Sequence, residues 1–103
     1  MGDWRDPIHP GEILAEEIKA LGISVLQFSK RLDVPNNRIY QILVGRRGIS
    51  ADTALRLGKF FDVEPEFWLN LQKSYELEVA RQGGVKLDKI EPLKRETPAV
   101  LAP

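Results

Sequence analysis

The 103-residue chain has no cysteine, a single histidine and no formal net charge. Without cysteine there is neither a disulfide staple nor a thiolate metal site, and one imidazole, His9, makes no histidine cluster, so stability has to come from packing and helix caps. No stretch reaches the about 18 consecutive apolar residues of a membrane span, and no basic start leads into an apolar segment of the signal-peptide kind. The chain is therefore expected to be soluble, cytoplasmic and off the membrane. Catalytic signatures are missing as well: there is no GxSxG, no P-loop and no HExxH. Glu16 and Glu17 look like paired carboxylates, but neighbours on a helix point about 100° apart and cannot share one substrate. His9, beside Pro10 at a helix start, reads as a capping or packing residue. The expectation is a protein that is not an enzyme and holds no metal or cofactor.

What is present is enough for one small core, with 43% hydrophobic residues that include eight aromatics. The zero net charge hides an uneven distribution. Residues 1–23 carry −3, residues 24–60 carry +5, residues 61–81 carry −3 and the remainder +1. A basic centre between acidic flanks points to two partners of opposite character.

The periodicity predicts an all-α chain of five helices. Residues 1–7 form an N-terminal arm, residues 8–82 the folded domain and residues 83–103 an extended or disordered tail rich in proline and mixed charge. The first helix opens at Pro10, whose missing N–H costs nothing at that position, and buries Ile13, Leu14, Ile18 and Leu21 before Gly22 ends it. Ser24 with Gln27 is a capping box for a second helix from Val25. A third runs from about Pro35 to Leu43. Ser50 caps a fourth, with Ala54, Leu57, Gly58 and Phe61 on one face, and Glu64-Pro65 opens a fifth that reaches about Ala80.

The segment Ser24–Gly45, SVLQFSKRLDVPNNRIYQILVG, is patterned as a helix-turn-helix. Phe28 and Leu32 of the second helix and Ile39, Ile42 and Leu43 of the third are apolar. Asn36, Asn37, Tyr40 and Gln41 lie at i, i+1, i+4 and i+5, on the side turned away from Ile39 and Ile42. An Asn or Gln amide carries a donor and an acceptor side by side, which pairs with N6 and N7 of adenine in the major groove. These four residues are the candidate base readers. Taken singly, Asn36 and Asn37 could instead cap the third helix. Arg38, Arg46, Arg47 and Lys30 are the candidate phosphate clamps, placed on the third helix, in the turn after it and on the second helix. One such reading head covers only a few base pairs, so a homodimer on double-stranded DNA is expected, with half-sites about 34 Å apart. Phe67, Trp68, Leu71 and Tyr75 of the fifth helix are the candidate dimer surface, because that helix is apolar over more than one face.

These residues resemble the phage repressor and Cro-like helix-turn-helix family, and within it the HigA-type antitoxins. The broad likeness rests on the ungapped 24–45 segment, in which Asn36, Asn37 and Gln41 match base-reading positions of phage repressors. The narrower one rests on HPGEILAEE (9–17), GRRGIS (45–50), TALRLGKFF (53–61) and PEFWLNLQ (65–72). The resemblance implies a five-helix repressor-like domain, a dimeric repressor of its own operon, and neutralisation of a RelE-like (HigB-type) mRNA-cleaving toxin. The alternative on the same fold is a stand-alone regulator without a toxin. Three positions depart from the pattern. Val25 stands where many phage repressors use Gln for a phosphate contact, Asp33 replaces the usual turn Gly, and Ser29 replaces a small Ala at the helix crossing.

Overall fold

The computed structural model describes residues 6–94. Five helices follow one another, α1 (Pro10–Leu21), α2 (Val25–Leu32), α3 (Asn36–Leu43), α4 (Ala51–Phe61) and α5 (Pro65–Gln82), and there is no strand among the described residues. Residues 1–5 of the expected arm and 95–103 of the expected tail lie outside the described residues; residues 83–94 are exposed and non-helical.

Local chemistry accounts for most helix ends. Ser24 Oγ accepts from the Gln27 N–H at 3.1 Å while Gln27 Oε1 accepts from the Ser24 N–H at 2.9 Å, the expected reciprocal cap of α2. In α4, Ser50 Oγ accepts from the Thr53 N–H. Pro65 stands in the first turn of α5, which runs on to Gln82, two residues beyond the expected Ala80. Asp33 ends α2 in the left-handed conformation at φ 58°, and Asp62 does the same for α4 at φ 56°. Aspartate tolerates this conformation better than most side chains, which is why the helix-turn-helix turn forms without its customary glycine. Pro35 occupies the cap position before α3 and provides no side-chain bond, so neither Asn36 nor Asn37 is spent as a cap.

At α1 His9 both caps and packs, as its place beside Pro10 suggests. His9 Nδ1 accepts from the Gly11 N–H at 2.9 Å, and Glu12 Oε2 accepts from the His9 N–H at 3.1 Å, a capping box with imidazole in the place of a hydroxyl. The ring packs edge-on against Tyr75 at 4.9 Å, tying the start of α1 to α5. Burial lowers the His9 pKa from its ordinary 6.5 more than Glu12 raises it, and a protonated Nδ1 could not accept at all. Since folding favours the neutral ring, the unfolded chain binds the proton first as the pH falls. The cap's contribution is thus complete above pH 6.5 and is lost progressively below it. Between pH 7.5 and 5 the wild-type Tm should fall by several degrees more than that of His9→Asn, whose amide caps without titrating, on the scale of a cap worth about 1 kcal/mol. Parallel Tm curves would contradict this role for the imidazole.

The core gathers Leu14 and Ile18 of α1, Phe28 and Leu32 of α2, Ile39 and Ile42 of α3, Ile49 of the following loop, Ala54 and Leu57 of α4 and Trp68 of α5. Leu21, expected in the buried stripe of α1, is exposed because it sits in the last turn, where Gly22 swings the chain away. Phe28 meets Phe60 and Phe61 at 5.2 and 5.9 Å, and Phe61 meets Trp68 at 5.9 Å, joining α2 to α5 through α4. Ser29 is buried with its hydroxyl donating to the Val25 carbonyl at 2.8 Å, so the small polar residue is satisfied at the crossing. Gly11 lies so close to α3 that a Cβ there would stand 1.9 Å from the Ile42 carbonyl oxygen. That contact sets how α3 sits on the rest of the domain.

Candidate nucleic-acid interface

Burying Ile39 and Ile42 completely turns the opposite side of α3 outward. Asn36, Asn37 and Tyr40 are exposed there and Gln41 is half-buried. Among the described residues, none of the three amide side chains makes a hydrogen bond. The chain thus brings four sequence-predicted residues onto one open face and leaves their donors and acceptors uncommitted.

The loop after α3 is folded back against the helix. The Gln41 carbonyl accepts from the Arg46 N–H at 2.9 Å and from the Arg47 N–H at 3.2 Å, and the Gly45 N–H reaches the Ile42 carbonyl at 3.1 Å. Gly45 sustains this reversal at φ 80°, a conformation that side chains rarely adopt. Arg46 and Arg47 are therefore exposed side chains fixed by their backbone at the C-terminal end of the presented face. Lys30 is exposed in the last turn of α2. A residue the sequence reading passed over holds the far side of the loop. Gln72 of α5 is buried, accepts from the Ile49 N–H at 2.7 Å, and packs so tightly on Gly48 that a Cβ there would meet its amide at 2.6 Å. A polar residue one turn from Trp68 was the available signal, but only the fold supplies its partner 23 positions away.

Arg38 differs from the other cations. Its Nη1 donates to Asp52 Oδ1 at 2.9 Å, and the same oxygen accepts from Arg56 Nε at 2.8 Å. Arg56 in turn donates through Nη1 to the Leu32 and Asp33 carbonyls, both at 3.0 Å. Hydrogen bonding by Arg56 foremost, and by Arg38, holds the Asp52 carboxyl below the usual carboxylate range. Asp52 in the first turn of α4 is also where a helix end favours a carboxylate. Arg56 thereby braces the helix-turn-helix turn. Arg31 lies over the Phe60 ring at 4.8 Å.

The fifth helix requires a correction. Trp68, expected on a dimer surface, is 2% exposed and sits in the domain's own core, because α5 turns Trp68 and Gln72 inward onto α4 and the loop after α3. Leu71 and Tyr75 are half-buried, Tyr75 against His9. Phe67 remains 48% exposed, and Leu77 and Val79, both outside the expected set, are 55% and 42% exposed. Any second burial of α5 falls on these residues and not on the tryptophan. No described helix is long and apolar enough to cross a membrane.

Comparison with known proteins matches a family described as helix-turn-helix to residues 14–68. The chain is similar to Virulence-associated protein I of Dichelobacter nodosus, 44% identical over 90 residues that make up 86% of this chain and 83% of that one. Among solved structures, it is similar to an addiction module antidote protein of the HigA family from Coxiella burnetii, with 51% identity, a TM-score of 0.78, and coverage of 85% of this chain and 98% of that one. It is also similar to the Pseudomonas aeruginosa antitoxin HigA, solved with the higBA promoter, with 43% identity, a TM-score of 0.79, and coverage of 85% and 99%.

Proposed function

The chain belongs to the helix-turn-helix family and, within it, to the HigA-type antitoxins, and from that footing we propose that it is a sequence-specific DNA-binding repressor of its own operon and the antitoxin of a RelE-like mRNA-cleaving toxin. The observation that carries the DNA-reading half is the row of unbonded amides, Asn36, Asn37 and Gln41, opposite the buried Ile39 and Ile42. In this reading α3 enters the major groove and those amides, with Tyr40, meet base edges. Arg46, Arg47 and Lys30 hold phosphates on either side. Two protomers pair through the exposed and half-buried apolar residues of α5, Phe67, Leu71 and Tyr75, with Leu77 beside them, and present two such helices one turn of DNA apart. The antitoxin half is supported by exposed carboxylates on α1 and α5, Glu16, Glu17 and Glu66, which suit a basic partner. The protein works in the cytoplasm.

Arg46→Ala tests the clamp. Binding to the promoter of its own operon and to a shuffled duplex should weaken by a similar factor, roughly fivefold at 0.15 M salt, and the slope of log Kd against log salt should fall by about one. A loss confined to the promoter would show that Arg46 reads bases. For the antitoxin half, tagged full-length chain purified from nuclease-treated lysate of its host should bring down, at near-stoichiometric yield, a small basic protein encoded beside it. Recovery of self-associated chain alone would leave a stand-alone regulator.

A further inference from the structure

We propose that Arg38 reads a guanine and that Asp52 aims it, so that Arg38 is a specificity-determining residue of α3 and not one of the phosphate clamps. The proposal rests on the reading of α3 as the helix that enters the groove. At 100° per residue, Arg38 lies about 60° around α3 from Gln41, on the rim between the open face and the buried one. Its side chain is 28% exposed, whereas Arg46 and Arg47 stand free in the loop. The guanidinium is held at one corner, Nη1 on Asp52, and the carboxylate that holds it is itself fixed by Arg56, which is anchored to the Leu32 and Asp33 carbonyls. The bonds run from the α2–α3 turn through α4 and back to α3, spanning the element that would face DNA.

Such an arrangement suits a base edge better than a phosphate. A guanidinium carries five N–H donors in a rigid fork, so the bond to Asp52 leaves donors free to meet O6 and N7 of guanine together. Pinning the side chain beforehand lowers the ordering cost of that contact. A carboxylate 2.9 Å from Nη1 opposes the approach of an anionic phosphate more strongly than that of guanine's neutral edge. The residue would add a guanine to the bases read by the neighbouring amides.

The test is selection from a random 20-base-pair duplex library by the full chain and by Arg38→Ala, Arg38→Lys and Asp52→Asn, followed by Kd measurements on the selected and a shuffled duplex at several salt concentrations. Wild type should enrich guanine at a fixed position in each half-site. Arg38→Ala and Arg38→Lys should both lose that preference, by at least about fivefold, and keep the rest of the motif, since lysine retains the charge but not the fork. Asp52→Asn should relax the same position with the salt slope on shuffled DNA at or above the wild-type value. If Arg38→Lys keeps the motif while Arg38→Ala weakens every duplex equally and lowers the slope by about one, Arg38 is a clamp and the proposal is overturned. Equal weakening on all duplexes with a lowered Tm in Asp52→Asn would make Asp52 a brace and overturn its aiming role. A wild-type chain that enriches no motif would sink the groove-reading premise itself, a result distinct from a motif that survives every Arg38 substitution.

Discussion

Gly11→Ala should cost the domain about 3 kcal/mol or more, at the upper end of what overpacking a core costs and a large share of the total stability of a chain this size. The added Cβ would lie 1.9 Å from the Ile42 carbonyl oxygen and 2.8 Å from its carbon. Both are backbone atoms of α3, with no side chain to rotate aside. Nor can α1 retreat freely, because the neighbouring His9 is pinned by its cap and by Tyr75. Thermal melting should show Tm lowered by more than about ten degrees. Gly22→Ala provides the contrast: it meets nothing within 4 Å but sits at φ 71°, so only backbone strain of about 1 kcal/mol is expected there. Comparable small losses for the two variants would mean that α1 and α3 are not in the close contact described.

Asn37→Ala combined with Gln41→Ala should weaken binding to the promoter by about 2–6 kcal/mol, the sum of two base contacts at 1–3 kcal/mol each. The residues are one helical turn apart on the open face and so would read adjacent bases. Asn37 is exposed and Gln41 half-buried, and neither amide has a partner within the described residues, so the Tm should hardly change. Binding to shuffled DNA should change little, since the phosphate contacts belong to other side chains. An equal loss on promoter and shuffled duplex would assign these amides to the backbone of the DNA and not to its bases.

What was legible in the sequence was what local chemistry decides. Ser24 with Gln27, Ser50 and Pro65 mark helix starts because their effects lie within one turn. The split of α3 into Ile39 and Ile42 against Asn36, Asn37, Tyr40 and Gln41 follows from a strict 3.6-residue period. The capping role of His9 follows from its place before Pro10, whereas its reciprocal bond with Glu12 does not, because an imidazole is an unusual member of a capping box. Trp68 was misassigned because α5 offers apolar residues on several sides, and only docking onto α4 decides which of them turns inward. Gln72 and the Arg38–Asp52 pair draw their meaning from partners 23 and 14 positions away, a separation that no window of periodicity spans. The exposure of Asn36, Asn37 and Tyr40 was thus readable in advance; the carboxylate beside Arg38 was not.

The most direct test of base reading by α3 is a competition titration in which wild-type chain chooses between the promoter of its own operon and a shuffled duplex of the same composition, at physiological salt. The wild type should prefer the promoter by about a thousandfold or more, with most of that preference gone in the Asn37→Ala, Gln41→Ala chain. Equal affinity of the wild type for the two duplexes would contradict sequence-specific reading by α3.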